Sequence, residues 1–87
     1  MTREAIILEL KKIIQPFLEY EEEVLDDLNE DTDLIDELAF DSVDLIEIVI
    51  EIEQVFGIKI EDSEIYNIKT VRNIVDLISS KLPTTAN

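Results

Sequence analysis

At 87 residues the chain has room for one domain, and 46% apolar content with a single Gly and two Pro suits compact helices better than strands and turns. It contains no Cys and no His, which removes disulfides, thiolate nucleophiles, the common zinc ligands and the usual general base near neutral pH, so no enzyme is expected. The formal charge is −15; sixteen acids lie between Glu19 and Glu53, whereas no Lys or Arg falls between Ile13 and Ile58, a field that repels nucleic acid and anionic membranes and favours basic protein surfaces.

Met1-Thr2-Arg3-Glu4 leads straight into an amphipathic pattern, and no apolar run reaches the ~18 residues of a membrane span. A cytoplasmic protein without membrane insertion is therefore expected. Thr2 can cap a first helix whose inner face is Ile6, Leu10, Ile13, Ile14 and Phe17. Pro16 disfavours a helical Gln15, so this helix should end or kink there. Tyr20 to Asp33 reads as a long acidic connection, with Val24, Leu25 and Leu28 placed to pin a short helical turn to the core. Asp31-Thr32-Asp33 with Asp36 and Glu37 invites a calcium-loop reading, which fails. Ile35 stands where an oxygen ligand is needed, Asp36 where the turn glycine belongs and Ser42 where a bidentate Glu belongs. No metal site is expected. Leu34, Ile35 and Leu38 make a further apolar turn that leads through Ala39-Phe40 into the central element.

That element is a helix from Asp41 to Gly57. Asp41 suits the N-cap, Asp44 resembles the acidic partner of a capping box, and Gly57 can take the left-handed conformation just past the end. If Asp41 caps, the Ser42 hydroxyl is left displayed at the helix entrance. At about 100° per residue, Asp44, Glu47, Glu51 and Gln54 form a polar stripe. Leu45, Val49, Ile52 and Phe56 form the opposite, core face, flanked by Ile46 and Ile48. Val43 and Ile50 fall at the edge of the acidic stripe, where an apolar residue is half exposed. Serine, edge apolars and carboxylates on one side of one helix make a candidate docking and attachment surface: Asp41, Ser42, Val43, Asp44, Glu47, Ile50 and Glu51.

Beyond Gly57, Ile58-Lys59-Ile60 alternates like a strand with no partner strand, and is read as an extended segment filling the core. Asp62 or Ser63 can cap a short helical turn around Ile65 and Tyr66. Thr70 can cap a last helix carrying Val71, Ile74, Val75 and Ile78 and ending near Leu82-Pro83. The expected organisation is a single domain over residues 1–82 with a frayed tail at 83–87.

Asp41-Ser42-Val43-Asp44 resembles the Asp-Ser-Leu attachment motif of the acyl carrier protein family, and the likeness extends along nearly the whole chain. Leu34-Ile35-Asp36-Glu37-Leu38 looks like the family's loop end. Glu47 and the run Glu53-Gln54-Val55-Phe56-Gly57-Ile58 look like the rest of its second helix and the exit. Ile60-Glu61-Asp62 and Ile68-Lys69-Thr70-Val71 look like the approaches to its third and fourth helices. The resemblance implies an all-α fold, a small four-helix bundle of three main helices plus a short third helix, with a long loop after the first. It implies 4′-phosphopantetheine on Ser42, transferred from coenzyme A by a phosphopantetheinyl transferase. The arm's thiol then holds acyl groups as thioesters, which suits a chain with no cysteine of its own. Implied partners are acyl-transferring, condensing and modifying enzymes with basic patches, met by a monomeric carrier. Ala39-Phe40 in place of a Gly-Ala-like pair, Val43 in place of Leu and a longer first loop depart from the commonest fatty-acid carriers. Fatty-acid and specialised fatty-acyl or polyketide routes both stay open. The alternative from another class is an acidic helical adaptor that binds a basic protein and carries no prosthetic group.

Overall fold

A computed structural model describes residues 2–18 and 27–82. Four α-helices are present among them: α1 (Arg3–Ile14), α2 (Ser42–Phe56), the single-turn α3 (Asp62–Ile65) and α4 (Val71–Lys81). A 3₁₀ turn, Gln15–Phe17, extends α1. No strand occurs among the described residues; one antiparallel bridge joins Asp33 to Thr70. The architecture is the expected small all-α bundle. The Val24 and Leu25 positions of the proposed loop anchor and the tail at 83–87 lie outside the described residues, whereas Leu28 is buried.

Each helix begins where a side chain can satisfy backbone N–H groups that have no partner within the helix. Thr2 accepts from Ala5 N–H at 3.1 Å at the start of α1. At α4, Thr70 Oγ1 accepts from Asn73 N–H at 3.3 Å, and Asn73 Oδ1 accepts from both Lys69 and Thr70 N–H at 2.9 Å. The start of α3 corrects the sequence reading, since the cap position belongs to Glu61 rather than Asp62 or Ser63. The Glu61 N–H donates to the Glu64 carboxylate at 2.8 Å, and the Glu61 carbonyl accepts from Glu64 N–H at 2.9 Å. The regular helix α1 ends at Ile14, just ahead of Pro16, as expected; only the conformation of Gln15 differs. Gln15 remains right-handed helical, and Pro16 is accommodated by narrowing to a 3₁₀ turn, whose first positions need no proline N–H.

The inner faces meet in one core. Ile6, Leu10 and Ile14 of α1, Ile48 and Ile52 of α2, and Val71, Ile74, Val75 and Ile78 of α4 are buried, and α1 packs on both long neighbours. Ile60 and Ile68 are buried from the two connecting segments, as the extended reading of Ile58–Ile60 requires. No described helix is long and apolar enough to cross a membrane.

The loop ahead of α2 is strapped to the start of α4. Val71 N–H donates to the Thr32 carbonyl at 3.0 Å and Arg72 N–H to the Glu30 carbonyl at 2.9 Å, so loop carbonyls serve the first donors of that helix. Leu34 N–H donates to the Lys69 carbonyl at 2.8 Å. Basic side chains reinforce the strap. Arg3 pairs with Glu30 and, at 2.9 Å, with Asp76; Arg72 pairs with Asp31 at 2.7 Å. The Arg3 guanidinium holds the Glu30 carboxyl below the usual carboxylate range. Asp31, Asp33 and Asp36, three of the acids that resembled an incomplete calcium loop, thus pair with Arg72 and Lys69 in the strap, and no possible metal-holding group of three or more occurs among the described residues.

Ala39 has φ 59°, the left-handed region where a β-carbon is crowded. Because Ala39 is exposed, replacing it costs no buried packing. Ala39→Gly should raise stability by about 0.5–1 kcal/mol, the relief of that crowding less the greater freedom of unfolded glycine. Thermal melting checks this, and an unchanged or lower midpoint would count against strain at this turn.

Candidate functional site

The left-handed turn at Ala39 sends Phe40 inward and Asp41 outward. Phe40 is buried and meets Phe17 edge-to-face, with ring centroids 6.3 Å apart. Leu45 is the next buried anchor. Between the two, Asp41, Ser42 and Val43 are all exposed. The helix entrance is therefore held rigidly from both sides while its own side chains face outward.

Asp41 is the N-cap, in extended backbone. Its Oδ1 accepts from Asp44 N–H at 2.9 Å, and Asp44 Oδ2 accepts from Asp41 N–H at 3.1 Å, completing the capping box. Ser42 is the first helical residue. Its hydroxyl makes no hydrogen bond among the described residues, and neither do the N–H groups of Ser42 and Val43. An anionic substituent on this oxygen would sit against free amide donors and the positive end of a 15-residue helix. At the other end Gly57, φ 67°, closes α2 in the left-handed conformation, with its N–H donating to the Glu53 carbonyl at 2.9 Å.

Glu47, Ile50 and Glu51 are exposed along the same helix, with Asp44 half-buried beside its cap partner. Every ion pair among the described residues leaves Asp41, Asp44, Glu47 and Glu51 out. The cations Arg3, Lys69 and Arg72 are committed to the loop strap, so the α2 acids present uncompensated charge. Val43 is 58% and Ile50 46% exposed, the half-open edge expected of them.

Ile46 departs from the sequence reading. Placed there beside the core face, it is 46% exposed and lies between Val43 and Ile50 on one apolar stripe. The signal was present: the spacing 43, 46, 50 follows one side of a helix, and Ile46 points about 100° from the core direction. Ile35, expected in an apolar turn, is also exposed, while its neighbours Leu34 and Leu38 are buried.

These two exposed isoleucines border a groove of about 470 Å³ that Ser42 also lines. Leu45 and Ile46 of α2, Ile65 of α3, Ile35 of the loop and Ile68 line it, with Asp62, Tyr66 and Lys69 among the polar contributors. Periodicity could not reveal this groove, because its walls come from four segments distant in sequence. The site thus combines an unengaged hydroxyl, an anion-compatible helix terminus, an adjoining apolar groove and an acidic face.

Residues 9–78 match the family model described as the phosphopantetheine attachment site. Among solved structures, the acyl carrier protein from Enterococcus faecalis is 35% identical, with 92% of this chain and 98% of that chain covered and a TM-score of 0.73. The acyl carrier protein from Thermotoga maritima is 30% identical, with 91% of this chain and 88% of that chain covered and the same TM-score of 0.73. Among curated protein sequences none matches.

Proposed function

The chain belongs to the acyl carrier protein family, whose members bear 4′-phosphopantetheine and act as carriers rather than catalysts, and on that premise we propose that Ser42 is the residue esterified by the arm. The single observation that carries this reading is the capping box. Asp41 and Asp44 satisfy one another, so the Ser42 hydroxyl is structurally idle, exposed, and placed where a helix terminus favours a phosphodiester. When bound, the arm supplies a terminal thiol that holds an acyl group as a thioester.

The chain's own residues do the rest. Ser42 and Val43 offer amide donors to the phosphodiester, and Leu45, Ile46 and Ile65 line a groove that suits an apolar acyl chain. Val43, Asp44, Glu47, Ile50 and Glu51, with Asp41, form the face that meets basic partner surfaces: the phosphopantetheinyl transferase first, then enzymes that load, extend or modify the acyl group. Apolar groove walls favour a fatty-acyl or reduced polyketide cargo over a polar one. Family membership supports this carrier reading against the prosthetic-group-free adaptor.

Incubating the protein with coenzyme A, magnesium and a phosphopantetheinyl transferase tests the assignment. One arm should be added, and peptide mapping should locate it on Ser42. Modification at another residue, or none, would overturn the reading.

A further inference from the structure

The groove beside Ser42 has a wall and a floor that come from different parts of the chain. Ile35, in the loop, forms part of the wall; Ile68, buried ahead of α4, forms part of the floor. One carboxylate links them. Asp33 Oδ1 accepts from Ile35 N–H at 2.8 Å and Asp36 N–H at 2.7 Å, while Asp33 Oδ2 pairs with the Lys69 ammonium at 2.7 Å. Lys69 also reaches Asp36 at 3.2 Å, and its side chain lines the groove. The backbone bond from Leu34 N–H to the Lys69 carbonyl fixes the base of this turn, so the side-chain pairs set the orientation of what lies above it.

We propose that Lys69 is a positioning residue that holds the Ile35 wall of the groove in register beside Ser42. The proposal rests on the reading of this groove as the place for an acyl chain. The direction in which these groups titrate agrees with the geometry. Hydrogen bonds from Asp36 N–H and then from Lys69 hold the Asp33 carboxyl below the usual range, and its pairing with Asp33 and then Asp36 raises the Lys69 ammonium. With the Lys69 ammonium removed, Asp33 still caps the turn and the Leu34–Lys69 backbone bond still holds its base, but no side-chain pair holds the Asp33–Asp36 turn that carries Ile35 against the floor. A wall that must be ordered on binding lowers affinity even when every lining side chain is present.

The test uses the full chain without its arm and decan-1-ol as a neutral apolar probe, followed through the methyl resonances of Ile35, Ile46 and Ile65. The parent should bind the probe in this groove. Lys69→Met should weaken binding about fivefold, Lys69→Arg should restore most of the loss, and Asp33→Asn, which keeps the cap acceptor but loses the charge, should match Lys69→Met. Lys12→Met, remote on α1, should change nothing. Melting curves run alongside should show the variants folded at the binding temperature, since the Lys69 side chain is more than half exposed and a pair open to solvent at one end adds little to global stability. Undiminished binding by folded Lys69→Met, or equal weakening by Lys12→Met, overturns the positioning role. Absence of probe binding by the parent overturns the groove as well. Neither result depends on Ser42, whose modification is tested separately.

Discussion

Ser42→Ala is expected to accept no phosphopantetheine while melting within about 2 °C of the parent. The hydroxyl is the proposed bond-forming atom, and without it no oxygen remains at the first position of α2 to take the arm. The fold should not notice, because the cap is Asp41 and no hydrogen bond among the described residues uses the serine hydroxyl. Asp41→Ala is the complementary experiment. It removes the acceptor for Asp44 N–H and one half of the capping box, and should cost about 1 kcal/mol, a fall of roughly 4–8 °C for a domain of this size. Its serine remains available, so transfer should still reach completion below the melting transition, though more slowly. Intact mass reads the first quantity and thermal melting the second. A large drop in melting temperature for Ser42→Ala would mean that the serine has a structural task which the capping geometry does not reveal.

Glu47→Lys is expected to slow arm transfer and partner turnover by roughly three- to tenfold at low ionic strength, with the difference shrinking as salt is raised. Glu47 is exposed and outside every ion pair among the described residues, so its charge is free to act on an approaching partner. Reversing it removes one attraction and adds a repulsion, both acting over about 10 Å at 0.1 M salt. Ile50→Ala should behave differently. It deletes apolar contact area at a residue 46% exposed, so dissociation should quicken about fivefold while the salt dependence of association stays as in the parent. Glu9→Lys on α1 is the comparison; Glu9 already pairs with Lys12 at 3.3 Å, and it shares a cleft with Glu51 and Val55 on the later turns of α2 rather than with the Ser42 end. Stopped-flow association with the transferase at two salt concentrations separates these effects. Equal impairment by Glu9→Lys and Glu47→Lys would show that total charge, rather than a defined face of α2, governs recognition.

The sequence by itself determined the helices and their ends wherever the deciding interactions are local. Asp41 with Asp44, Thr2, Thr70 and Gly57 act on backbone groups only a few residues away, so their roles can be read from spacing. The core faces of α1, α2 and α4 follow the same logic, since a helix repeats every 3.6 residues whatever it packs against. Other features depend on what lies opposite, and only the tertiary structure decided them. Pro16 marked where α1 ends, but that the chain there narrows into a 3₁₀ turn was not visible from it. The acids from Asp31 to Asp36 had no visible task as a metal loop, because their partners Lys69 and Arg72 lie 33 or more positions away in the chain. The groove beside Ser42 belongs to the same class: its lining comes from the loop, α2, α3 and the approach to α4, and no single segment contains it.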